Sequence, residues 1–223
     1  MKFDVVGGDS YPVLEVGLNP GEKIVSESGA MSWMDHHVQC KTSSRGGILS
    51  GLGRKFLTGE SFFQNEFFVE GKAGTVGLVP GGPGTICQYT MTGNELFLEK
   101  GAYLASTENV EIKTKFEGLS FKAMFNEGLF ILKAVGSGEL FFSGYGDVRE
   151  MEVNGEYVVD NGYAVAWEPT LSYELIKAKK IRAFLFGDQL MLKFRGKGKL
   201  WVQSRSPQAL ANFFYPYRPV SNN

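Results

Sequence analysis

The chain has 223 residues, 43% of them hydrophobic and 13% aromatic, with 23 Lys+Arg against 24 Asp+Glu and a formal net charge of -1. That balance excludes a disordered chain. It also argues against a dedicated nucleic-acid binder, whose affinity comes chiefly from a basic excess that neutralises phosphates. With 29 glycines but only 8 prolines, and a length that suits one β domain of roughly 200–250 residues, the chain reads as a turn-rich, single all-β domain over 1–223.

In chain order, the segment Met1-Lys2-Phe3-Asp4-Val5-Val6-Gly7-Gly8 has no apolar core of a signal peptide. No later run approaches the ~18 apolar residues that cross a bilayer, so a cytoplasmic location is expected. A short strand, Leu14-Glu15-Val16-Gly17-Leu18, then leads into Pro20-Gly21-Glu22. Three segments follow that line up with one another: Ile24 to Trp33, Leu96 to Ala105 and Tyr157 to Ala166. Each is an apolar strand, a polar pair, a glycine and another apolar strand. The glycines Gly29, Gly101 and Gly162 are expected in tight turns at positive φ, which glycine alone takes without cost. Nine residues after each comes Val38, Val110 or Leu171.

A second glycine motif recurs at Gly71, Gly136 and Gly196, each after an apolar strand, and reads as a strand-opening turn. Two recurring motifs at a common spacing predict three pseudo-equivalent units of paired antiparallel strands, about 14–70, 71–135 and 136–205, followed by a tail at 206–223. The last unit lacks a closing strand. Because Leu14-Glu15-Val16 precedes Pro20-Gly21-Glu22 much as Met151-Glu152-Val153 precedes Asn154-Gly155-Glu156, the N-terminal strand is expected to close that unit and hide its edge. Only Pro207 to Phe214 reads as helix, with proline at its first turn.

The spacing from the Val or Leu anchor to the second glycine is 33 residues in the first unit, against 26 and 25 in the others. The excess falls in the glycine-rich run 45–60, where Arg45, Arg54 and Lys55 stand beside Ile48, Leu49, Leu52 and Phe56. This segment is expected to be a flap that meets a protein partner or an anionic membrane surface. A cap on the end of a barrel is the alternative. It lacks the GxxxxGK(S/T) pattern of a phosphate loop. A smaller insertion sits at Pro80-Gly81-Gly82-Pro83-Gly84.

Pro20-Gly21-Glu22, Ser28-Gly29-Ala30-Met31, Thr58-Gly59-Glu60-Ser61-Phe62-Phe63, Pro83-Gly84-Thr85-Ile86, Gly101-Ala102-Tyr103-Leu104-Ala105 and Gly198-Lys199-Leu200-Trp201-Val202-Gln203-Ser204-Arg205 together resemble the altered-inheritance-of-mitochondria, or mitochondrial biogenesis, family over nearly the whole chain. The resemblance implies three double-stranded β-helix units like those of the tryptophan RNA-binding attenuator protein, usually assembled as a homotrimer. It implies no established catalytic activity and no cofactor.

Asp35-His36-His37 is the most tempting chemistry, because such a fold is also similar to that of cupins. On a strand, Asp35 and His37 share a face. The aligned Thr107-Glu108-Asn109 and Glu168-Pro169-Thr170 add at most a carboxylate, which falls short of a ligand set, so no metal is assigned. Cys40 and Cys87 form no CxxC pair and read as reduced thiols. Arg195, Lys197 and Lys199, with Lys177, Lys179, Lys180 and Arg182, form either an RNA contact or a solvated rim. The equivalent turns are not basic, which favours the rim. Trp33, Trp167 and Trp201 read as core or subunit-interface residues, and Phe213-Phe214-Tyr215-Pro216-Tyr217 as a tail docked on its own barrel or on a neighbour. The expected function is a homo-oligomeric scaffold or interaction protein. A small-molecule or metal-binding cupin-like protein and an RNA-binding ring are the alternatives.

Overall fold

In the computed structural model the described residues are 1–43, 64–114, 131–177 and 190–218. The expected flap, with Arg45, Ile48, Leu49, Leu52, Arg54, Lys55 and Phe56, lies outside them, as do Lys179, Lys180 and Arg182. The chain is predominantly β. Its first third runs β1 (Lys2–Val6), β2 (Val13–Leu18), β3 (Lys23–Glu27), β4 (Met31–Met34), β5 (Gln39–Ser43), β6 (Gln64–Phe68) and β7 (Gly74–Leu78). The middle carries β8 (Gly84–Glu99), a 3-10 turn over Lys100–Ala102, β9 (Tyr103–Thr107), β10 (Val110–Thr114) and β11 (Ile131–Tyr145). The last third carries β12 (Val148–Asp160), a 3-10 turn over Asn161–Tyr163, β13 (Ala164–Trp167), β14 (Leu171–Lys177) and β15 (Leu190–Gln203). A single short helix, α1 (Pro207–Phe214), and a 3-10 turn over Tyr215–Tyr217 end the described chain.

Long antiparallel ladders organise these strands. β8 pairs β11 from Gly84↔Tyr145 to Glu99↔Ile131, and β12 pairs β15 from Val148↔Gln203 to Asp160↔Met191. In the first third the corresponding path is split in two. β2 pairs β7 (Leu14↔Leu78 to Leu18↔Gly74) and β3 pairs β6 (Lys23↔Phe68 to Glu27↔Gln64). The kink between them, Asn19–Glu22, has Gly21 at φ +86°. There the Glu22 carboxylate accepts from the Asn19 backbone N–H at 2.9 Å and from the terminal amine of Met1. Four strands form a sheet in the order β1-β2-β7-β4, and the other eleven form a second.

The strands alternate as the period of two requires: Leu14, Val16 and Leu18 of β2 point inward between partly exposed neighbours. Three apolar clusters result, and each borrows from a neighbouring stretch of chain. The first takes Ile86, Leu104, Ala105 and Phe141 from the middle third. The second takes Val165, Ala166 and Trp201 from the last. The third is built on Trp167, Phe194 and Leu192, with Phe97 of β8 packed in. Trp167 meets Tyr173 and Phe194 edge-on at 5.2 and 5.4 Å, contacts worth about 0.5–1.5 kcal/mol each beyond burial.

Several expectations need correction. β2 pairs β1 and β7 in its own third, so the N-terminal strand does not close the last unit; the returning strand β7 lies nearer in sequence and completes the ladder first. Gly136 and Gly196 do not open strands. They sit inside β11 and β15 at φ +128° and +131°, where a Cβ would run into the carbonyls of Asn109 and Thr170. Gly71 lies between β6 and β7 with nothing near its Cβ position. Gly29 takes positive φ (+93°). Gly101 and Gly162 instead occupy 3-10 turns outside that region. Their N–H groups are captured by the side chains of Glu99 and Asp160, which holds the turn without a left-handed residue. None of the residues of α1 is buried, and Phe213, Phe214, Tyr215 and Tyr217 are exposed. The tail is therefore not docked on its own barrel.

Candidate functional site

The residues read as a weak metal pair serve the backbone. Residues 35–38 form a turn rather than a strand, closed by Val38 N–H donating to the Asp35 carbonyl at 2.9 Å. The Asp35 carboxylate accepts from Thr75 N–H at 2.9 Å, and His37 Nε2 meets the Ala73 carbonyl at 3.0 Å. His36 points to solvent with its ring 5.2 Å from that of His37. Among the described residues no three His, Cys, Asp or Glu side chains converge as metal ligands.

The same tie is made twice more. Thr107 Oγ1 accepts from Glu139 N–H at 3.1 Å, and Glu168 Oε2 accepts from Lys199 N–H at 2.8 Å. In each case the residue before the captured N–H is a glycine: Gly74, Gly138 or Gly198. Any Cβ at those three glycines would collide with the turn, at His37, Thr107 or Thr170. These glycines, two or three positions beyond those singled out from the sequence, were missed. The visible signal was the alignment of Asp35 with Thr107 and Glu168, which was weighed only as metal chemistry.

A groove of about 980 Å³ opens between Pro80–Pro83, the two 3-10 turns, the end of β11 and the start of α1. Its ionisable side chains are Glu99, Asp160, Tyr145 and Tyr163. Glu99 and Asp160 are committed to the turn N–H groups of Gly101 and Gly162 at 2.8 and 3.2 Å. Gln203 ties the walls together, accepting from Tyr145 N–H at 2.8 Å and donating to the Gly162 carbonyl at 2.8 Å. Burial pushes the Glu99 carboxyl above its ordinary range. Burial also raises nearby Glu27 to about 7 against the opposing charge of Lys100. No histidine, cysteine, lysine or arginine lines this wall among the described residues.

Three of the four basic residues of β15 are balanced by acids on the strands beside them, while Lys197 is exposed. Lys193 and Arg195 both meet Glu156, at 2.6 and 2.8 Å; Arg195 also meets Glu174 at 3.0 Å, and Lys199 meets Glu150 at 2.6 Å. Cys40 is exposed, and burial lifts the partly buried thiol of Cys87 to about 11. Trp167 and Trp201 are core residues, whereas Trp33 is 40% exposed.

This geometry defines a ladder-built β protein whose polar side chains hold its own turns. Over residues 3–205 the chain matches the family described as Mitochondrial biogenesis AIM24, and it belongs to that family. It is 26% identical to an uncharacterized protein of Streptococcus pyogenes serotype M6 over 233 aligned residues, 100% of this chain and 93% of that protein. It is also similar to the X-ray structure of a Streptococcus pyogenes structural-genomics target, with TM-score 0.80 and 25% identity over 97% of this chain and 99% of the other. No helix among the described residues is long and apolar enough to cross a membrane.

Proposed function

We propose that the protein is a self-associating β scaffold built from three pseudo-equivalent double-stranded β-helix units, and that it works by binding other chains. The threefold reading is supported by the recurring ties from Asp35, Thr107 and Glu168 to the N–H after Gly74, Gly138 and Gly198. The binding role rests on one observation. Large apolar side chains stand in water on strand edges and tail, namely Trp33, Val158, Phe213, Phe214 and Tyr217, while Glu99, Asp160 and Gln203 of the groove and Lys193, Arg195 and Lys199 of β15 are held in internal bonds. Uncovered apolar surface of this kind marks interaction sites. Native mass spectrometry of the full chain tests the reading. An assembly of several copies is expected; a monomer at high micromolar concentration overturns it. The same spectrum reads any retained small molecule, which would turn attention to the groove.

A further inference from the structure

Two junctions inside the chain join one unit to the next through the same strand edges. β9 pairs β3 with Ala105↔Ser26 and Ser106↔Val25, and β13 pairs β8 with Ala166↔Leu98 and Trp167↔Phe97. Counted from Gly29, Gly101 and Gly162, the third member of the first set is β4, with Trp33 and Met34. The third member of the second set is β12, with Val159 and Val158. Among the described residues β4 pairs only β7, and β12 pairs only β15. Those two edges carry Met31 at 39%, Trp33 at 40%, Tyr157 at 40% and Val158 at 47% exposure. The first apolar cluster holds no residue of the last third, and the third cluster holds none of the first.

We propose that the β4 edge of one copy pairs antiparallel with the β12 edge of a second copy, with Trp33 opposite Val159 and Met34 opposite Val158. The inference rests on the self-associating reading above and names the surfaces that make it. The occupant is argued from the chain itself, which makes this joint twice. At the equivalent internal joint Phe97 leaves its own unit and packs beside Trp167 in the third cluster. Val158 is the exposed counterpart of Phe97, and Met34, the counterpart of Trp167, already lies against the first cluster. Docking therefore continues an apolar core across the joint and satisfies two rows of unpaired backbone groups. Because the two edges differ, the joint is head-to-tail, and copies propagate until a ring closes.

Directly opposed Cα atoms in an antiparallel ladder lie about 4.5–5.5 Å apart, within disulfide reach. In a Cys40→Ser, Cys87→Ser background, full-length Met34→Cys protein mixed with full-length Val158→Cys protein is expected to form a covalent heterodimer on mild oxidation. A chain carrying both substitutions is expected to form a reducible ladder or ring of copies. Val158→Glu places a carboxylate opposite Lys193, which suits the folded monomer. It should leave the melting temperature unchanged while weakening association at least about tenfold, because the joint would strip water from the new carboxylate. Assembly in native mass spectrometry without the heterodimer overturns this joint and leaves the scaffold reading standing. A monomer under native conditions overturns both. An internal disulfide in the doubly substituted chain, with no link between copies, shows the edges meeting within one molecule and overturns the proposal.

Discussion

Asp35, Thr107 and Glu168 differ in length and charge, yet each captures one backbone N–H beside a glycine. The requirement is an acceptor at a fixed place, which a carboxylate or a hydroxyl meets equally well. That is why the sequence offered Asp35 and His37 as ligand candidates: the residue types suit metals, and only the turn shows that the Asp35 carboxylate and His37 Nε2 already meet backbone groups. Glu27 poses a different question, because its carboxyl titrates near 7 when folded against 4.5 ordinarily, chiefly through burial. The folded state therefore holds this proton more tightly than the unfolded state. Stability falls as pH rises from about 4.5 through 7, and the full cost is present above that. Glu27→Gln is expected to raise the melting temperature near pH 8 and leave it unchanged near pH 4, in a thermal melt followed by circular dichroism. An equal change at both pH values would refute the assignment.

At the level of elements, strand identity was legible because apolar residues recur with a period of two. Strand length was not. Gly136 and Gly196 read as breaks, whereas β11 and β15 pass through them at positive φ with their ladders continuing on either side. Glycine here bends a strand without ending it, as at a bulge. Leu14–Val16 reads like Met151–Val153, but pairing partner is set by which strand returns alongside, and that was β7. Helix α1 was legible from Pro207; the cap that starts it was not, and there the Ser206 hydroxyl accepts from Ala209 N–H. Since α1 buries none of its residues, removing 207–223 should change folding stability by no more than about 0.5 kcal/mol. Urea denaturation measures this, and retention on a hydrophobic column should fall as the exposed aromatics are lost. A stability loss of several kcal/mol would show that the tail is packed on its own chain.

Across the whole molecule, each apolar cluster includes residues from the neighbouring third, so the thirds cannot lose their packing one by one. Phe97, on a middle-third strand, is 6% exposed within the third cluster. Phe97→Ala is expected to cost about 3–5 kcal/mol, with tryptophan fluorescence and far-ultraviolet circular dichroism still reporting one coincident transition. Two separated transitions would mean that the thirds unfold independently. That the chain is predominantly β was readable from composition and spacing. The sharing of cores was not, because it depends on which face of β8 meets which neighbour.

One cross-strand contact carries a further consequence. Trp33 faces Gly77, whereas Ala105 faces Phe141 and Ala166 faces Trp201. The bulk lies on the short strand in the first case and on the long strand in the other two. An aromatic at position 77 alone would collide with the Trp33 ring, which already lies where a Cβ at Gly77 would go. An alanine at 33 alone would leave a hole. In the descent of such chains these two positions must change together, so they should covary as a couple among relatives even where neither is individually retained.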